Sequence, residues 1–259
     1  MAAKISGSVL VTGSNRGIGL ELVRQLSESL CPPNQIFAGC RDPNGPKAKE
    51  LRELAQKHQR LITLVCLDTT NQASITEAAR VVGAKLKDGS LNLLINNAAV
   101  NIPGSLAETG EKQMMEVFQT NTVGPMLLTK EFLPYLRNAA SQPGAQSEMS
   151  CRRSAVVNVS TLIASIEKCP ETFHGAPMYP YRVSKAALNM LTRCLAEDLK
   201  KDGILVMALH PGWVKTDMGG PEAPLSTEES VKGTLNVISS LSEKHVGTLL
   251  DWEGKGIPW

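Results

Sequence analysis

The sequence predicts one α/β domain in which helices cover both faces of a doubly wound parallel sheet of about seven strands. Three observations predict it. Short β-branched runs alternate with longer helical patterns along nearly the whole chain. The strand runs are apolar on both faces, as strands buried between two helical layers must be. A glycine-rich loop joins the first strand directly to the first helix. With 259 residues the chain is long enough for one such domain, here taken as 1–259, with a substantial core.

Strands are expected over 8–11, 36–40, 61–67, 91–95, 155–159 and 204–209, with a last one near 248–250. Each is a short apolar run of the kind that fills a buried parallel sheet. Helices are expected over 17–29, 48–59, 73–86, 112–137, 181–200 and 228–241, where apolar residues recur at helical spacing. Two segments read as irregular: 138–153, rich in Ser, Gln, Pro and Gly, and 165–180. Both are short enough to be surface loops. No internal repeat or low-complexity tract occurs.

Composition excludes several classes. Hydrophobic content of 42% and charged content of 20% belong to an ordinary globular chain. A net charge of +2 gives no strong field for nucleic acid or a membrane surface. No run is long enough to cross a bilayer, and the N-terminus has no apolar signal core. Cys31, Cys40, Cys66, Cys151, Cys169 and Cys194 form no C-x-x-C pair and no metal-ligand spacing. Reduced, mostly packed thiols and a cytoplasmic location are therefore expected, with no metal.

The chemistry starts at Gly13-Ser14-Asn15-Arg16-Gly17-Ile18-Gly19, a G-x-x-x-G-x-G loop that opens a helix. Glycines there let backbone N–H groups approach a pyrophosphate at the helix N-terminus. In many NAD-selective folds an acidic residue ends the second strand and holds the adenosine ribose. That slot is Cys40 here, followed by Arg41, with Arg16 as a second cation. Two guanidiniums suit a 2′-phosphate, so NADP(H) is the expected cofactor. Asp42 reads as a turn residue before Pro43. Asp68, ending the third strand, is read either as a ligand of the adenine amino group or as a turn or cap.

Tyr181 and Lys185 stand four apart in a helical stretch and share one face. A neighbouring ammonium lowers the pKa of a phenol, which makes Tyr181 a candidate acid near neutral pH.

With Thr12–Gly19, Asp68, Asn96-Asn97-Ala98-Ala99, Asn121, Ser160-Thr161, Tyr181–Lys185 and Pro211-Gly212 with Thr216 in this order, the chain resembles the short-chain dehydrogenase/reductase family along nearly its full length. The segments around Cys40-Arg41-Asp42, Tyr181–Lys185 and His210–Gly220 look most like Sniffer-type carbonyl reductases. The resemblance implies a Rossmann-type domain and hydride transfer between a nicotinamide and an alcohol or carbonyl carbon. It implies that Tyr181 is the general acid in reduction, that Lys185 lowers its pKa and binds the nicotinamide ribose, and that Asn121 holds a water leading to solvent. Asn121 also reads as a side chain satisfying a helix kink. Further cofactor contacts are implied at Asn97, Ala98, Ala99, Pro211, Gly212, Val214 and Thr216; a helix N-cap is the other reading of Thr216.

Two departures from the family pattern stand out. Ala99 replaces the usual glycine and adds a methyl beside the cofactor. The hydroxyl that polarises substrate falls on Thr161 in the family register, with Ser160 as the alternative. The segment between that pair and Tyr181 is longer than usual, so loops at about 165–180 and 213–227 are expected to shape substrate. Tyr179 lacks a lysine four residues on and is expected to line the cleft. Trp213 reads equally as a substrate cover or as core, and His210 as a packed or hydrogen-bonded histidine.

The expected activity is an NADPH-dependent carbonyl reductase acting on a small-molecule carbonyl. The alternatives are an NAD(P)-dependent alcohol or hydroxysteroid dehydrogenase, and a cofactor-binding signalling protein with incidental catalysis. The resemblance also implies a homo-oligomer, a dimer or tetramer.

Overall fold

A computed structural model describes residues 5–86, 88–142 and 148–259. Its sheet has seven parallel strands in the order β3-β2-β1-β4-β5-β6-β7. The strands are β1 (Ser8–Thr12), β2 (Gln35–Cys40), β3 (Ile62–Cys66), β4 (Leu93–Asn96), β5 (Ala155–Val159), β6 (Leu205–His210) and β7 (Leu249–Asp251). The helices are α1 (Gly17–Glu28), α2 (Lys49–Lys57), α3 (Gln72–Lys85), α4 (Glu111–Phe118), α5 (Gly124–Ser141), α6 (Cys169–Thr172), α7 (Tyr179–Leu199) and α8 (Thr227–Ser239).

Period-two alternation along each strand sorts its side chains into two cores. Val9, Val11, Ile36, Ala38, Leu93, Ile95 and Val157 face one cluster, which α1, α2 and α8 cover. Leu10, Phe37, Leu94, Val156 and Val206 face the other, beneath α3, α5 and α7. The doubly wound sandwich expected from the alternation is the fold found.

Three local expectations are corrected. The helix expected over 112–137 is broken: α4 and α5 are joined by a π-helical turn, Gln119–Val123. Pro125 at the start of α5 has no N–H to bond back to residue 121, so the regular ladder cannot run through this point. The segment over 138–153 is not irregular throughout, because α5 runs to Ser141; residues 143–147 of it lie outside the described residues. The thiols are free but mostly not packed. Only Cys40 and Cys151 are buried, while Cys31, Cys66 and Cys194 are exposed. Cys66 lies on the edge strand and Cys194 on an outer face of α7, where no helix covers them. Among the described residues no helix is long and apolar enough to cross a membrane.

Candidate active site

Strand order reverses between β1 and β4, so the loops leaving their C-terminal ends part and leave a crevice. A cavity of about 940 Å³ occupies it. Thr12 and Asn97 fix its floor. The Thr12 hydroxyl accepts hydrogen bonds from the backbone N–H of Asn97 and of Ala98, both at 3.0 Å. The Asn97 amide donates back to the Thr12 carbonyl at 2.9 Å. Over this clamp the glycine loop makes contacts that admit no side chain. A Cβ on Gly19 would lie 2.1 Å from the Gly13 carbonyl oxygen, and one on Gly13 would lie 2.9 Å from the Ala98 Cα. Gly13 and Gly17 also have positive φ, at 68° and 53°.

Asn15, Arg16, Gly17, Ile18, Gly19, Asn97, Ala98 and Ala99 line the cavity with Gly13. Ser14 does not, and its expected place among the cofactor ligands is corrected. It is fully buried, its hydroxyl donates to the Val11 carbonyl at 2.7 Å and its N–H to the Gly39 carbonyl at 3.0 Å. Both donors are spent bracing the loop. A bare backbone cradle at a helix N-terminus fits a pyrophosphate.

At the far end of the cavity lie Cys40, Arg41, Asp42 and Asp68. Asp42 has the expected turn role: its Oδ1 accepts the Asn44 N–H at 3.1 Å. Asp68 Oδ1 receives the N–H and hydroxyl of Thr70 at 2.9 and 2.7 Å, which is the turn reading; α3 is capped instead by Asn71. The two arginines are not equivalent. Arg16 forms an ion pair with Asp217 across the cleft, whereas the Arg41 side chain is exposed and engages nothing among the described residues. Of the two arginines, Arg41 is thus the one without a counter-ion among the described residues.

At the near end, α7 presents Tyr181 and Lys185 to the same cavity. The π-helical turn docks on this helix. Asn121, fully buried, donates to the Ser184 hydroxyl at 3.1 Å, and Thr122 donates to the Ser184 carbonyl at 2.8 Å. Asn121 also pairs with both backbone groups of Val100 at 2.9 Å, so its side chain ties the loop after β4 to α7 and does not bond the backbone of the kink itself. Lys185 Nζ is buried and donates to the Val159 carbonyl at 2.5 Å, 5.8 Å from the centre of the Tyr181 ring.

The expected electrostatics of this pair are reversed in the protein alone. Burial pushes the Tyr181 phenol up to about 12 and the Lys185 ammonium down to about 7. Desolvation disfavours the charged form of each group, and with the ammonium turned toward a carbonyl rather than the phenol it outweighs their attraction. Ser160 lines the cavity but donates its proton to Asn189 at 2.6 Å. The Thr161 hydroxyl makes no hydrogen bond among the described residues, although Thr161 is not part of the cavity lining.

After β6, Pro211 and Thr216 line the cavity while Gly212 and Val214 shape the turn behind it. Gly212 has φ 86°, and Val214 is buried in a bridge to Leu225. Thr216 caps no helix: its hydroxyl donates to the Val214 carbonyl and accepts the Gly219 N–H. Trp213 is not core. It is 56% exposed, with its indole N–H on the Gly219 carbonyl at 2.7 Å. His210 is packed, and its buried Nδ1 has no partner among the described residues. Tyr179 packs edge-on against Phe173, outside the nucleotide cavity.

Sequence reasoning missed three residues that hold the site. Thr12, within the motif but given no role, ends an apolar run, and Asn189 interrupts one. Arg182 carried no such signal, because an arginine beside Tyr181 on a helix reads as surface, yet it is 7% exposed.

A family model described as short chain dehydrogenase matches residues 7–224. The chain is 47% identical to the NADPH-bound carbonyl reductase from chicken fatty liver, over 97% of this chain and 98% of that one, with a TM-score of 0.92. It is 38% identical to the carbonyl reductase Sniffer of D. melanogaster, over 97% and 99% of the two chains, with a TM-score of 0.91. It is also 38% identical to the C-signal protein of Myxococcus xanthus, over 70% of this chain and 99% of that protein.

Proposed function

The chain belongs to the short-chain dehydrogenase/reductase family, and on that premise we propose that it is an NADPH-dependent carbonyl reductase. One observation carries the reading: Tyr181 and Lys185 line the same cavity as the glycine loop and Arg41. NADPH, when bound, would supply the hydride, with its phosphates on the Gly13–Gly19 loop and its 2′-phosphate on Arg41. That a carbonyl reductase 47% identical to this chain is NADPH-bound supports this choice of cofactor.

The chain's own groups then have three tasks. Tyr181, held protonated by burial, donates its proton to the carbonyl oxygen as negative charge develops there. The Thr161 hydroxyl, free of other bonds, is the second donor to that oxygen; Ser160 spends its proton on Asn189. Lys185, poised near neutrality, returns a proton to Tyr181, and Asn121, bonded to Ser184 one residue before it, would hold the water that links Lys185 to solvent. Fixed donors and a fixed carbonyl account for most of the rate, since positioning replaces encounter.

The test is Tyr181→Phe, assayed by NADPH oxidation with quinones, diketones and lipid aldehydes. Turnover should fall by at least about 100-fold while NADPH affinity stays within about two-fold, because only the proton donor is removed. Turnover persisting near the wild-type rate would remove Tyr181 from the reaction.

The name of the C-signal relative favours a second reading, a signalling protein that binds the nucleotide. An intact Tyr181, Lys185 and Asn121 set weighs against it, since sensing needs no proton donor. Tight NADPH binding with no turnover on the whole carbonyl panel would select it.

A further inference from the structure

We propose that Arg182 is a positioning residue that sets which carbonyls are accepted, by tying the wall formed by residues 163–176 to the helix that carries Tyr181. This rests on the carbonyl reductase reading. Arg182 follows Tyr181 in the chain, but its side chain leaves the nucleotide cavity and enters the loop beyond it. There Nε donates to the Ala176 carbonyl at 2.6 Å, and Nη2 to the Thr172 carbonyl at 2.6 Å. Nη1 donates to the Ile163 carbonyl at 2.9 Å and to the Thr172 hydroxyl at 3.0 Å. The guanidinium carbon also lies 5.6 Å from the centre of the Phe173 ring, which packs edge-on against Tyr179 at 5.6 Å.

None of these partners is a carboxylate. A buried guanidinium needs compensation, and here backbone carbonyls of two short helical turns supply it. Thr172 ends α6, and Ile163 lies in the 3₁₀ turn Leu162–Ala164. Carbonyl ends of helical turns carry partial negative charge, so one cation satisfies both. Dependence runs the other way as well. A four-residue helix is too short to hold itself together, so the segment takes its shape from what it is bonded to. It is also tied by the Glu167 N–H on the Trp259 carbonyl at 3.1 Å and by Phe173 on Tyr179.

The wall and the Tyr181 phenol therefore share one reference frame, the first turns of α7. A substrate with its carbonyl oxygen at Tyr181 and Thr161 would meet this wall with its remaining bulk. Loosening Arg182 would leave the proton donor and nucleotide loop in place and move only the surface that contacts that bulk. A misplacement on the order of 1 Å costs about 100-fold in a positioned reaction, so the effect is measurable.

The experiment compares wild type with Arg182→Met, which keeps the apolar stem, and Arg182→Lys, which keeps the charge but loses the fork. It measures backbone hydrogen exchange over 163–176, NADPH affinity, and kcat/KM for a bulky aromatic diketone and a small aldehyde. In Arg182→Met, exchange in 163–176 should accelerate by at least about tenfold while 185–199 is unchanged. NADPH affinity should stay within about two-fold. The ratio of kcat/KM for the bulky over the small carbonyl should fall at least about tenfold, mainly through KM, with Arg182→Lys between. Unchanged exchange overturns the tie. Equal losses on both carbonyls reduce Arg182 to a folding residue and overturn its role in selection. If wild type reduces neither carbonyl, the carbonyl reductase reading fails and selection falls with it, while exchange still decides the tie. Should Arg182→Met not fold, the Arg182→Lys ratio and exchange decide alone.

Discussion

On one side of the cleft, the glycine loop is held by backbone packed on backbone: Gly13 against Ala98, Gly19 against the Gly13 carbonyl, and Thr12 clamped to Asn97. On the other side, one long side chain, Arg182, bonds three carbonyls of residues 163–176, and the turn after β6 ends in Gly220, where an added Cβ would meet nothing within 4 Å. The first side tolerates no change because a pyrophosphate has one shape. The second can be re-cut by side-chain substitution without disturbing the sheet. A fold divided this way can keep its cofactor while its substrate changes.

The comparison breaks most sharply at the glycines. Gly19→Ala should weaken NADPH binding by at least about 100-fold, because the new methyl meets a carbonyl oxygen at 2.1 Å and backbone has to move. Gly220→Ala, at φ 77° in open space, should leave NADPH affinity unchanged and cost about 1–2 kcal/mol of stability from its left-handed backbone alone. Fluorescence titration and urea unfolding of the two variants measure both. Equal effects on affinity would mean that the two sides are not built differently.

Lys185 sits where the two sides meet, and its burial sharpens the contrast through pH. Its folded pKa is depressed from 10.5 to about 7, so between these values the unfolded chain holds a proton that the native state does not. Stability from this group therefore rises with pH from about 7 to about 10.5, and below 7 the cost of charging is fully present. Tyr181 is raised from 10 to about 12 and begins to oppose this only above pH 10. Between pH 7 and 9 wild type should gain roughly 2 kcal/mol more stability than Lys185→Met, read from urea midpoints. Parallel pH profiles of the two proteins would show that Lys185 is charged inside the fold.

Much of this was legible in the sequence, for reasons that are local. The two cores follow from period-two alternation in runs such as Val9, Leu10 and Val11, and the cradle from glycine spacing. The meeting of Tyr181 and Lys185 followed from helical geometry. What escaped reading depends on contacts distant in the chain or on solvent. Apolar residues resume at helical spacing beyond the polar run Gln119–Thr122, so the break between α4 and α5 was masked although Gly124-Pro125 follows it. Arg16 finds Asp217 201 residues away, and Arg182 finds carbonyls that any sequence would supply. Spacing placed an ammonium near a phenol, but the sign of the resulting shift depends on burial, which spacing does not encode.

Arg16 and Arg41 permit the smallest and most discriminating test. Read from sequence, they are two equal cations beside a 2′-phosphate. In the fold Arg16 is balanced by Asp217, in an exposed pair of the kind worth about 0–1 kcal/mol, while Arg41 has no partner among the described residues. Each charge-assisted hydrogen bond to a phosphate contributes about 1.5–3 kcal/mol. Arg41→Asp removes such bonds and sets a carboxylate one residue beyond Cys40, the slot where NAD-selective folds carry an acid that accepts from ribose hydroxyls. The expected outcome is a loss of about 10- to 100-fold in NADPH affinity with NADH affinity equal or improved, measured by parallel titrations. Arg16→Ala should cost less than about tenfold, because its guanidinium must first leave Asp217 to serve a phosphate. If the order is reversed and Arg16 matters more, the ion pair opens when the nucleotide binds and the sequence's even-handed reading was the better one.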